Sequence, residues 1–140
     1  MEYRQLDEKE IRQLEDNNCW AEDWQRVMVA DDFNPNAVRN VTFYGNVKLG
    51  SFDKSIEVSK TFMRRTGVYN ATLRNVTIGN NSLVENVGNY INNYVIGSDC
   101  YISNICTMET TEGATYGEGN IISVLNEVGE GNVVSYHGLT

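Results

Sequence analysis

The stretch that decides the fold is 78–101, IGNNSLVENVGNYINNYVIGSDCY. It opens on Ile78-Gly79-Asn80-Asn81-Ser82-Leu83, and a unit of the same kind, Ile96-Gly97-Ser98-Asp99-Cys100-Tyr101, begins eighteen residues later. Counting in sixes from Ile78 gives Val84, Tyr90, Ile96, Ile102 and Met108, all apolar. Four residues after each of these six stand Ser82, Gly88, Tyr94, Cys100, Cys106 and Glu112, of which four are small. After a two-residue slip the phase resumes at Ile122, Val128 and Val134. Upstream, Val41 and Val47 keep the spacing, whereas residues 53–70 do not. Such internal periodicity outranks local propensity as a guide to architecture.

An aliphatic residue every six, glycine next to it and a small residue four later resembles the hexapeptide repeat of left-handed parallel β-helices. In that family three hexads make one triangular turn of the chain. The resemblance implies an all-β fold in which one aliphatic side chain per face fills a narrow prism. The corners of such a prism favour left-handed backbone, which asparagine and glycine adopt at least cost. Eighteen asparagines in 140 residues, against one proline, fit that demand. Like residues then stack turn upon turn, as in other solenoids. An antiparallel sandwich of short strands is the bland alternative. The unbroken run of six apolar positions argues against it.

The first forty residues read differently. Asp7 can cap a helix, Glu10 can reach back to the cap's backbone N–H, and Leu6 can pack on Ile11. Asn17–Asn18 supplies a stop. A second helical turn over Ala21–Arg26 would set Trp20 and Trp24 on one face; core packing is the expectation for both, a stacking platform for a ligand the alternative. Pro35 marks a turn. The expected organisation is a helical segment over 1–40 and a left-handed β-helix over 41–140; VVSYHGLT offers no recognisable cap, so truncation at the C-terminal end is expected.

Beyond the repeat, the stretches LDEKEIRQLEDNNC, NYINNYVIG, METTEGATYGEGN and SVLNEVGEGNV resemble the N-terminal region of an uncharacterised Bacteroidetes family with a domain of unknown function. That resemblance covers most of the chain. It implies a hexapeptide-repeat β-helix akin to those of sugar nucleotidyltransferases and acyltransferases, in a protein longer than 140 residues. It also implies self-association as a homotrimer, the usual state of hexapeptide-repeat proteins. Parallel strand edges and an open end add a physical reason to associate. The family supplies no catalytic residues to carry over, and it implies no particular cofactor.

Charge narrows the function. The formal net charge is −8, all eleven Lys and Arg lie at or before Arg74, and seven acids follow it. A nucleic-acid surface needs clustered cations, so no nucleic-acid partner is expected. No apolar stretch approaches the eighteen or so residues of a membrane span, so no membrane partner is expected either. Three cysteines without a CxxC pair, and no signal peptide, point to reduced thiols and a cytoplasmic setting. The Asn-x-Ser/Thr triplets at Asn40, Asn70, Asn75 and Asn80 read as products of an Asn- and Thr-rich composition.

Two functional readings stand. In one, the chain is a structural or oligomerisation scaffold, or a non-catalytic part of a transferase-like protein. In the other it is an acyl- or nucleotidyltransferase acting on a sugar or sugar nucleotide, with a sugar nucleotide or acyl-CoA as ligand. His137, the only histidine, would then be the general base, as in hexapeptide-repeat acyltransferases, and Arg64, Arg65 and Arg74 the phosphate ligands. The glycine-rich stretches 113–119 and 129–131 lack a Gly-Lys-Ser/Thr triplet and read as turns. Glu109, Glu112 and Glu118 form an acidic group that could hold a hard cation, but without EF-hand spacing, and no metal site is assigned.

Overall fold

The computed structural model describes residues 2–59, 62–116, 121–123 and 133–134. Most of them are strand. Two short strands, β1 (Arg4–Gln5) and β2 (Trp20–Ala21), flank the helix α1 (Glu8–Asp16). A third, β3 (Val27–Val29), follows a 3₁₀ turn at Trp24–Arg26. Long strands then dominate: β4 (Val38–Leu49), β7 (Gly67–Ile78), β8 (Leu83–Ile96) and β9 (Tyr101–Tyr116). Between β4 and β7 stands a hairpin of β5 (Ser55–Ser59) and β6 (Phe62–Arg65). Two short strands, β10 (Ile121–Ser123) and β11 (Val133–Val134), both pair with β9.

The long strands pair in parallel, in the order β3-β4-β7-β8-β9, with β1 antiparallel at the β3 edge. The offset between partners is the informative quantity. Leu73 faces Ile91, Ile78 faces Ile96, Leu83 faces Tyr101 and Val87 faces Ile105, each eighteen residues on. Parallel neighbours normally need a helical crossover. Here no helix intervenes, so the strand itself must turn back. It does so at left-handed residues: Asn75, Asn81, Asn86, Asn93, Asp99 and Asn104 have φ between 53° and 63°. Three such turns recur per eighteen residues, at Asn75/Asn93, Asn81/Asp99 and Asn86/Asn104.

The excess of asparagine is therefore structural. Asn18, Asn40, Asn70, Asn86 and Asn104 all have positive φ and form one hydrogen-bonded column. Each side-chain amide donates to the next carbonyl, at 2.8, 2.9, 3.1 and 3.3 Å in turn. Inside lie Val41, Phe43, Val47 and Leu49 of β4, then Leu73, Val76 and Ile78 of β7, and Ile91 and Ile96 of β8, all buried. The misfit of residues 53–70 to the six-residue spacing has its cause in the β5–β6 hairpin. It lengthens the offset between β4 and β7 to thirty residues at Val38–Val68 and Val41–Ala71.

Two expectations need correction. Residues 1–40 are not simply helical: Trp20–Ala21 and Val27–Val29 add to β4 in parallel, so the segment extends the same sheet. The two tryptophans consequently part. Trp24 packs on Phe43 at 5.9 Å, while Trp20 is 53% exposed and meets the edge of Tyr44 at 5.7 Å.

The helix itself is capped as the sequence indicates. Asp7 accepts from the Glu10 backbone N–H at 2.8 Å, and Glu10 accepts from the Asp7 N–H at 3.1 Å. Arg4 donates twice to the Glu10 carboxylate, at 2.7 and 2.9 Å. The Arg4 bonds hold the Glu10 carboxyl below its usual range, against partial burial, with help from the Asp7 N–H. A depressed acid adds stability above its unfolded pKa, and that stability disappears as pH falls through the folded value. Glu10→Gln is therefore expected to melt below wild type at pH 7, and the gap is expected to close in strong acid. Melting curves across pH check this; a gap that is the same at every pH contradicts it.

Candidate functional site

The surface with the most chemistry is one outward face of the parallel sheet. Tyr44 lies beside Arg74, Arg74 beside Asn92 and Asn92 beside Glu109, one residue from each of four successive strands. Two residues earlier on the same side stand Thr72 and Tyr90, which complete the lining of a cavity of about 380 Å³. The alternation of a strand brings these six out while Phe43, Leu73, Ile91 and Met108 point into the core.

The polar groups interlock. The Tyr90 hydroxyl donates to Glu109 Oε2 at 2.8 Å. That bond, with some desolvation, holds the phenol above the usual tyrosine range, while Arg74 pulls the other way. A cation, a carboxylate and a phenol thus share one small region. Asn92 Oδ1 is shielded from solvent and accepts no hydrogen bond among the described residues.

Of the residues that the sequence singles out, Arg74 lies in this cavity, whose lining includes neither Arg64 nor Arg65. Arg64 belongs to the hairpin, where Ile56 faces Arg64 and Ser55 faces Arg65. Its Nη1 lies 2.8 Å from Glu85 Oε1, a contact made by charge without an aligned N–H. The other carboxylate oxygen of Glu85 accepts from Tyr101 at 3.2 Å and Ser103 at 3.1 Å. Glu85 is only 5% exposed. The Arg64 guanidinium also covers the Tyr69 ring at 5.4 Å. An anionic ligand on Arg64 would have to compete with a buried, hydrogen-bonded carboxylate. Arg65 is exposed. His137 lies outside the described residues, as do Glu118 and the side chain of Glu112. Among the described residues no group of three or more His, Cys, Asp or Glu is arranged for a metal ion. Cys19 and Cys100 are buried and Cys106 is half-buried. No helix is long and apolar enough to cross a membrane among the described residues.

Sequence reasoning singles out none of Tyr44, Thr72, Tyr90 and Asn92 as a site residue. Counting in sixes places Tyr90 inward. The register between β7 and β8 slips from sixteen residues at Tyr69–Glu85 to eighteen at Leu73–Ile91. The face is decided by a one-residue slip between β8 and β9, from eighteen residues at Val87–Ile105 to seventeen at Ile91–Met108, which turns Tyr90 out and Ile91 in. The available signal was the spacing of Arg74 and Asn92, eighteen apart like the two glycine-bearing hexads.

A model for a family described as Domain of unknown function (DUF4954) matches residues 3–140. The chain belongs to that family. An uncharacterized protein of Treponema pallidum (strain Nichols) is 29% identical over 148 residues, a match that takes in 98% of this chain and 20% of that protein. The chain thus spans about a fifth of the length of that relative. No solved structure matches.

Proposed function

We propose that the chain is a left-handed parallel β-helix serving as a structural and self-association scaffold within the DUF4954 family. The eighteen-residue parallel register carries this reading, with three left-handed turns in each repeat. A stack of that kind is rigid, contacts mainly its own neighbours and presents flat faces. Association would follow from those faces: Val95 is 48% exposed on a face it shares with Lys48, Thr77 and Thr115. A homotrimer is the expected assembly, with each chain offering one such face. Arg64 sits against Glu85, outside the lining of the cavity that holds Arg74, which supports a scaffold over a transferase that would gather the arginines at a phosphate.

Sedimentation equilibrium of the purified chain is expected to give a mass about three times 15.8 kDa. Val95→Lys is expected to shift the assembly toward the single-chain mass while leaving the circular dichroism of the strands in place. A single-chain mass for the wild type at every concentration from micromolar to millimolar overturns the self-association. A crystal structure with right-handed turns overturns the assigned helical sense.

A further inference from the structure

We propose that the face formed by Tyr44, Arg74, Tyr90, Asn92 and Glu109 is a binding site for a short, uncharged oligosaccharide. The proposal goes beyond the scaffold reading and does not depend on it. Its first support is shape. The four residues in register, Tyr44, Arg74, Asn92 and Glu109, stand on adjacent strands. At the usual strand spacing the row is about 14 Å long. That is the length of a chain of a few pyranose rings laid across the strands. The cavity of about 380 Å³ falls within the range of small-ligand sites.

Its second support is the pairing of rings with hydrogen-bonding groups. Tyr44 and Tyr90 are half-buried on the face, and the exposed Trp20 continues it beyond Tyr44. Aromatic rings offer a flat apolar surface with a polar tip, complementary to the C–H face of a pyranose. Around them stand a guanidinium that only donates, a carboxylate that only accepts, an amide and the Thr72 hydroxyl that do both. A sugar hydroxyl donates and accepts, so one ligand class can serve the whole set.

Third, Asn92 Oδ1 is shut off from solvent and lacks a donor among the described residues. Buried acceptors are nearly always satisfied, so this one calls for a donor beyond the described residues, a role a ligand hydroxyl suits. The competing classes fit less well. Phosphate would meet a single guanidinium with Glu109 in the same row, on a chain with net charge −8. A peptide strand adds to a sheet edge, whereas this is a face whose backbone groups are already paired.

The test is calorimetric titration of the full chain with cellotetraose, maltotetraose, mannotetraose and N-acetylchitotetraose, and with UDP-glucose as a charged comparison. At least one tetrasaccharide is expected to bind. Tyr90→Ala and Asn92→Ala are each expected to weaken it by about tenfold or more, since each removes a ring or a buried polar partner. Lys9→Ala, at an exposed position of α1, is expected to leave binding unchanged. Melting curves identify any variant that fails to fold, and Tyr90→Phe then replaces Tyr90→Ala, with a smaller loss expected. No binding by any tetrasaccharide at millimolar concentration overturns the proposal. So does binding of UDP-glucose alone, or tetrasaccharide affinity that neither variant alters. A Tyr90→Ala change that lowers the sedimentation mass without any sugar binding also overturns it, and assigns the face to a second copy of the chain.

Discussion

Gly79→Ala is expected to destabilise the chain by about 3 kcal/mol or more, or to prevent folding. A Cβ at Gly79 would lie 2.6 Å from the carbonyl carbon of Gly97, 2.7 Å from its oxygen and 2.7 Å from the Ser98 nitrogen. All three are backbone atoms of the adjacent strand connection, eighteen residues on. Backbone cannot rotate away as a side chain can, so the two connections must separate. Gly79 N also donates to Ile96 O at 2.8 Å, and separation would stretch that bond. Gly88→Ala is the matched comparison. Its Cβ would meet first the Cys106 sulfur, at 3.1 Å, at an exposed position. It is expected to cost less than about 1 kcal/mol. Urea denaturation of the two variants checks both values. Equal costs would show that the glycines serve chain flexibility and not close approach.

The second large effect is expected at Asn70. Its φ is 55°, its amide donates to Asn86 and its carbonyl accepts from Asn40. Asn70→Val forces a β-branched residue into left-handed backbone, at about 1–2 kcal/mol. It also removes two hydrogen bonds from the column, worth about 1 kcal/mol each when part-exposed. The expected total is about 3–4 kcal/mol. Asn70→Gly accepts the backbone freely and loses only the bonds, so it is expected to cost about half as much. The difference between the two variants measures the backbone contribution. If Val and Gly destabilise equally, the left-handed conformation is not what selects asparagine there.

How much of this was legible in advance varies with the interaction range. The capping box at Asp7 and Glu10 is written within four residues, and it forms as read. The departure from the spacing at 53–70 marked an element of another kind, and a hairpin stands there. Trp20 and Trp24 misled because four-residue spacing implies one face only if the segment is helical. Parallel pairing of Trp20–Ala21 with Thr42–Phe43 overrides that local preference. The candidate site was least legible. Arg74 was visible as the last basic residue, but its neighbours come from strands whose register is not recorded locally. A slip of one residue between β8 and β9, from Val87–Ile105 to Ile91–Met108, is enough to move Tyr90 from the expected interior to the outer face. Arg64 looked available because Glu85 is distant in sequence, and only the folded hairpin brings the two together.

The asparagine column has a direction. From Asn18 to Asn104 every amide donates the same way, so the five dipoles add along the stack. Aligned amide bonds polarise one another, by about 10–30% per bond in condensed phase. The interior asparagines therefore do more for the column than its end members, although each carries the same chemical group. Among the described residues the column is a vector with electrically unlike ends: its Asn104 end presents amide hydrogens, its Asn18 end a carbonyl oxygen. Two such stacks joined head to tail would continue the series, whereas two joined head to head would oppose like ends.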